Sequence, residues 1–143
     1  MEAVNNDELR ARLEATDSPI DQTLGLVFKS VAHASGICTL EFTIGRGFTN
    51  PMGVVFGGIQ TSMLDAALSL AGTIKSGLIQ GMVSLEIKTR YLKAAPPGVF
   101  RAEGRTISLG KRVAFLASEF FGPDGELVAR ASGTAFPMPF PES

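Results

Sequence analysis

From Gly47 to Ile74 the only ionisable side chain is Asp65, and it stands inside an apolar run. An ionised carboxylate costs several kcal/mol to bury unless it is paired or hydrogen-bonded, and nothing in that stretch carries the opposite charge. Isolated acids of this kind concentrate at catalytic sites, where they act as bases or nucleophiles. The plainer alternative is an acid solvated at a helix face lining an interface, or capped by neighbouring backbone. Eight residues earlier stands the pair Gly57-Gly58. On its own a glycine pair marks only a tight turn. At the N-terminus of a buried helix it would leave backbone N–H groups bare, and such groups hold a carbonyl oxygen as it becomes an oxyanion. An oxyanion donor followed by a carboxylate is the minimum equipment for hydrolysing an activated acyl group. Ser69, one turn beyond Asp65, shares its helix face. It either orients a water or is a small core hydroxyl bonded to a preceding carbonyl.

These residues need a helix to carry them. Gly45 to Gly58 reads as a loop, with Pro51 and five glycines, and from Ile59 the apolar positions Met63, Leu64, Ala66, Ala67, Leu68, Leu70, Ala71 and Ile74 cover nearly every side of a helical wheel. Such a helix is expected to be buried all round, ending at Lys75-Ser76-Gly77. Before it, Asp7 to Ala15 reads as a short surface helix stopped by Asp17-Ser18-Pro19, and Leu24–Ala32 with Ile37–Ile44 reads as a hairpin turned at Ala34-Ser35-Gly36. On the second strand Cys38, Leu40, Phe42 and Ile44 share one face, so Cys38 is core packing. After Gly81 the residues Val83, Leu85, Ile87, Thr89 and Tyr91 alternate with Ser84, Glu86, Lys88 and Arg90, the period of a strand. Three more strands follow, Val99–Ile107, Val113–Phe121 and Leu127–Phe136, before a proline-rich tail over 137–143. One helix apolar on every side and six half-apolar strands are satisfied together by a single antiparallel sheet curled around the helix, an α+β architecture. The outer face of the sheet, with Val99, Ile107, Leu116, Phe120, Val128 and Phe136, is expected to meet a second sheet or subunit.

Composition bounds the rest. The chain has 143 residues, a formal charge of -1, one Cys and no Trp, which suits one domain over 1–143 with a helical extension over 1–20 and a core that needs no disulfide or metal. A lone Cys fits a reducing compartment, and Met1 to Arg10 lacks the basic-then-apolar order of a signal peptide, so the cytoplasm is expected. No basic run offers a footprint for nucleic acid. Polar residues from Thr49 to Ser69 argue against a membrane span.

The run Asn50-Pro51-Met52-Gly53-Val54-Val55-Phe56-Gly57-Gly58, followed by Met63-Leu64-Asp65-Ala66-Ala67, resembles the signature of hotdog-fold acyl-coenzyme A thioesterases of the phenylacetic-acid-degradation type. The likeness extends from about Leu24 to Phe136, with Tyr91-Leu92-Lys93-Ala94-Ala95 and Gly110-Lys111-Arg112 as later landmarks. It implies that the Gly57 N–H polarises the thioester carbonyl, that Asp65 is base or nucleophile, that Ser69 positions water, and that Asn50, Phe56 and Gly58 line the site. No cofactor is implied, since coenzyme A is part of the substrate. Gly110, Lys111 and Arg112 are either a solvated turn or a contact for the coenzyme A phosphates. The resemblance further implies a dimer, paired into a tetramer, with Asp65 facing Gly57 of the adjacent chain. One position departs from the pattern: the family usually has His where this chain has Phe56, and its single histidine, His33, lies on the first hairpin. That departure keeps open a second reading, a hotdog protein that binds acyl-coenzyme A without hydrolysing it, and a third, a structural oligomer without ligand.

Overall fold

The computed structural model describes residues 4–141. Helix α1 spans Asn6–Glu14, and the Asn5 side chain caps it by accepting from the Asp7 and Glu8 N–H groups at 2.9 and 3.3 Å. A second short helix, α2 at Pro19–Thr23, occupies the segment read as the approach to the first strand. Its cause is Pro19, which terminates one helix but also suits the first position of the next. The strands are β1 Val27–Ala32, β2 Ile37–Ile44, β3 Gln80–Tyr91, β4 Gly98–Leu109, β5 Ala114–Phe121 and β6 Leu127–Pro139, with helix α3 at Gly57–Lys75 between β2 and β3. They form one antiparallel sheet in the order β1-β2-β4-β5-β6-β3, and α3 touches all six strands. This is the hotdog arrangement, a curved sheet around one long helix.

The helix can sit so close because of a row of small residues beneath it. Cys38, Gly104, Ser118 and Ala131 are mutual partners across β2, β4, β5 and β6, and all line the trough. A Cβ on Gly104 would overlap the Ala67 carbonyl. Ser118 Oγ donates to Leu64 O at 2.9 Å and Cys38 Sγ to Ala67 O at 3.5 Å, so the sheet's own side chains satisfy helix carbonyls. Phe100 and Phe120 stack at 4.7 Å in the core beside them.

Three expectations need correction. Leu116, Phe120 and Val128 face the helix and are buried, whereas Val99, Ile107 and Phe136 are the exposed ones. The tail stays in the sheet to Pro139, with Met82 opposite Pro137 and Gln80 opposite Pro139. Prolines are tolerated there because β5 pairs no further than Ala135, which leaves that side of β6 without a neighbour to receive an N–H. Finally, α3 is not buried all round. Its sheet side is fully covered, but Ser62, Asp65, Ala66, Ser69 and Leu70 are only half-buried.

Desolvation pushes the Cys38 thiol up from 9.0 to about 12, against a smaller lowering by the Gly104 backbone. The fold therefore keeps the thiol neutral while the unfolded chain ionises it from about pH 9. A raised folded value contributes stability in full below the unfolded value and loses it as pH climbs towards the folded one, by about 1.4 kcal/mol per unit. Comparing urea unfolding of the parent with Cys38→Ala between pH 8 and 11 should show the parent's relative stability constant at first and declining above pH 9. The native thiol should also resist iodoacetamide until the protein unfolds.

Candidate active site

The N-terminus of α3 is held by contacts from three directions. Val55 N donates to Ala95 O at 2.8 Å and Phe56 N to Phe48 O at 2.9 Å, while the buried Gln60 side chain donates to Val55 O at 3.0 Å. Phe56 is the N-cap residue, and its carbonyl accepts from Ile59 and Gln60. The Gly57 and Gly58 N–H groups thus precede the first intrahelical donors and have no acceptor among the described residues. Two aromatic rings rest on this bare backbone. A Cβ on Gly57 would stand 3.3 Å from Tyr91 Cζ, and one on Gly58 would stand 3.1 Å from Phe56 Cε1. Tyr91 OH also donates to Gly57 O at 2.8 Å. A side chain at either position would press on these rings by a few tenths of an ångström, so glycine suits the close approach independently of any turn.

Asp65 lies two turns along, half-buried, on a face shared with Ser62 and Ser69. Ser69 Oγ donates to its Oδ1 at 3.1 Å, and Ser84 Oγ on β3 donates to the same oxygen at 2.8 Å. Both bonds land on Oδ1, so Oδ2 takes none from the described residues and keeps its lone pairs for a proton or a carbonyl carbon, the chemistry a base or nucleophile would need. An open groove of about 1070 Å³ runs past it, walled on one side by Asp65, Ser69 and Leu70 of α3 and on the other by Leu13, Ile20 and Phe28.

Ser84 was not a candidate from sequence. Strict alternation puts it opposite Thr89 and Tyr91, but a bulge between Ser84 and Glu86 shifts the phase. Ser84 before the bulge and Thr89 and Tyr91 after it therefore all reach α3, at Asp65, Thr61 and Gly57. Val83 and Leu85, expected on that face, are exposed instead.

The remaining candidates are distributed. Asn50 spends its side-chain oxygen on its own loop, accepting from Met52 N at 3.0 Å and Val54 N at 3.3 Å, and so shapes the approach to Gly57. Phe56 is 57% exposed at the helix mouth. Gly110, Lys111 and Arg112 form an exposed turn after β4. That turn lies towards the C-terminal end of α3, since Thr106 just before it packs with Gly36 against Lys75. One chain does not bring it near Gly57. Nor does one chain bring Gly57 to Asp65: eight residues of helix separate them by about 12 Å.

Comparison with known proteins gives the chain's family. A family model described as the thioesterase superfamily matches residues 52–129, over half the chain. "Putative esterase SSO2140" of Saccharolobus solfataricus is 33% identical over 107 residues, covering 74% of this chain and 75% of the relative. The crystal structure of a phenylacetic acid degradation-related protein of Ralstonia eutropha JMP134 superposes with a TM-score of 0.82 at 28% identity, covering 92% of this chain and 99% of that one. The PaaI protein of the E. coli phenylacetic acid degradation operon shares the fold at a TM-score of 0.80 and 18% identity, over 90% and 91% of the two chains. With this likeness over both sequence and fold, the chain belongs to the thioesterase superfamily, as a hotdog-fold thioester hydrolase.

Proposed function

We propose that the protein hydrolyses an acyl-coenzyme A with an apolar or aromatic acyl group. The observation that carries this reading is Asp65, with one oxygen held by two serine hydroxyls and the other free over a groove of partly apolar lining. In the proposed reaction the thioester oxygen lies on the Gly57 and Gly58 N–H groups. Asp65 takes a proton from a water, the water oxygen bonds to the acyl carbon, and the oxyanion collapses with cleavage of the C–S bond. The departing thiolate takes up the proton, so free acid and coenzyme A leave. Direct attack by Asp65, giving an anhydride that water then opens, uses the same atoms.

A second copy completes the site in this reading. A separation of about 12 Å within one helix is too long for two groups that must meet one carbonyl, whose partners stand within about 3.5 Å. Strand β3 ends the sheet with one edge unpaired over Gln80–Tyr91 and with Val83 and Leu85 exposed. A long unpaired edge that exposes Val83 and Leu85 calls for a partner strand, and a two-fold axis beside it would bring Asp65 of one copy towards Gly57 of the other. Exposed Ile107, Phe115 and Phe136 on the outer face favour a further pairing into a dimer of dimers. Among the described residues no helix is long and apolar enough to cross a membrane, and the buried free thiol suits the cytoplasm.

Phe56 stands where the family usually has His, and the structure lays its ring over Gly58 at the mouth of the helix. Thiol release from short, long and aromatic acyl-coenzyme A esters tests the reading. The parent should turn over aromatic or long acyl groups best, since a stacked ring adds about 1 kcal/mol beyond burial. Phe56→His should raise turnover on short acyl groups and narrow that preference. Tight ester binding without thiol release across the panel would reject hydrolysis of acyl-coenzyme A.

A further inference from the structure

We propose that the hydroxyls of Thr89, Thr61 and Tyr91 form a one-way hydrogen-bond chain that polarises the Gly57–Gly58 peptide, making Tyr91 a positioning residue for the oxyanion donors. The inference rests on the hydrolytic reading above and deepens it. Tyr91 OH lies 2.8 Å from Gly57 O, Thr61 Oγ1 lies 2.6 Å from Tyr91 OH, and Thr89 Oγ1 lies 2.9 Å from Thr61 Oγ1. The directions follow from proton counting. A carbonyl only accepts, so the single phenolic proton goes to Gly57 O. Thr61 must then donate to the phenol oxygen. Its one proton being spent, Thr89 donates to Thr61.

Every proton in the chain points towards the Gly57 carbonyl. That carbonyl and the Gly58 N–H belong to one peptide plane. A hydrogen bond into the oxygen draws electron density across the amide and leaves the N–H a stronger donor, and a chain of such bonds polarises cooperatively. The device therefore acts on Gly58 N–H, beside the Gly57 N–H that the sequence motif singled out. It also fixes the plane of the peptide, because Gly57 lacks a side chain to resist rotation and the Tyr91 ring lies against it. The strand is held independently of the hydroxyl: Tyr91 is opposite Ala129 in the ladder, and Leu92 N donates to Val128 O at 2.8 Å. Tyr91 is the only tyrosine of the chain, so its removal leaves no substitute phenol.

The test compares Tyr91→Phe, Thr61→Val and Thr61→Ser in the full chain with thiol release as readout. Tyr91→Phe and Thr61→Val should each lower kcat by roughly three- to tenfold, the worth of one neutral hydrogen bond. KM should stay within about twofold, as for an interaction realised in the transition state, and the thermal midpoint should stay within about 4 °C. The double variant should lose no more than the worse single one, and Thr61→Ser, which keeps the hydroxyl, should retain the parental rate. In parallel, the amide nitrogen of Gly58 in a 15N-labelled sample should shift in Tyr91→Phe. A parental kcat in Tyr91→Phe, a loss confined to KM, or multiplied losses in the double variant would overturn the proposal. A parent that releases no thiol from any ester overturns the proposed function instead, and the Gly58 resonance then decides the hydroxyl chain alone: unmoved, it overturns the chain as well.

Discussion

Asp65→Asn is expected to lower kcat on the best thioester by about a hundredfold or more and to leave the fold intact. Asparagine matches the shape of the acid, and its carbonyl can accept from both Ser84 and Ser69 as Oδ1 does now. The change falls on the other atom. Where Oδ2 offers a free lone pair to the groove, the variant presents an NH2 that donates and neither takes a proton nor attacks a carbonyl. Stability should shift by less than about 1 kcal/mol, because Asp65 is half-buried and makes no salt bridge among the described residues. Stopped-time thiol release with the coenzyme A ester, alongside urea unfolding, separates the two effects. The serines can be ranked in the same assay. The Ser84 contact is the shorter and comes from the sheet, so Ser84→Ala should free the carboxylate to rotate and cost more than Ser69→Ala. Hydrolysis by Asp65→Asn at the parental rate would leave the carboxylate a structural group that merely anchors two hydroxyls.

The acid and the glycine pair were legible in the sequence because their signals are local. An ionisable residue alone in an apolar helix, and bare backbone at that helix's start, need only the order of residues along one element. The six strands and the long helix were legible for the same reason, through periods of two and 3.6. What escaped depends on pairings between elements. Ser84 lies on the face that alternation assigns to solvent, and only the bulge at Leu85, set by how β3 registers on β6, turns it towards Asp65. The partners of Tyr91 are 30 and 34 residues away in Thr61 and Gly57. The row Cys38–Gly104–Ser118–Ala131 is likewise invisible in sequence, since its members come from four strands. Helix α2 was missed for a different reason: Pro19 carries two opposite local meanings, and the sequence offered nothing to choose between them. The burial of Asp65 was overestimated because an apolar helix says how much surface must be covered, not that one chain covers it.

That last point gives the second large effect. If Gly57 of one copy serves Asp65 of another, two dead variants should revive each other. Asp65→Asn lacks the base. Gly57→Val crowds the Tyr91 ring, since even a Cβ there stands 3.3 Å from it, and obstructs the oxyanion position, at a cost of about a hundredfold or more in kcat. Each variant alone assembles with both sites broken. In a mixed dimer one site combines the two altered residues, while the other combines Gly57 from the Asp65→Asn chain with Asp65 from the Gly57→Val chain and is intact. After unfolding and refolding an equimolar mixture, half the dimers are mixed and half their sites work, so about a quarter of the parental rate should return. Mixing without subunit exchange should return nothing. The result separates the arrangements cleanly, because a site built within one chain leaves both variants inactive in every combination. Charge on the exposed edge offers a second check. Leu85→Arg places a cation on β3 where a partner strand would pair, and it should shift the protein to monomer by sedimentation at micromolar concentration and remove hydrolysis with it. A monomeric parent, or a mixture as inactive as its components after full exchange, would put both halves of the chemistry back in a single chain. The distance of about 12 Å along α3 makes that outcome hard to reconcile with one carbonyl held and attacked at once.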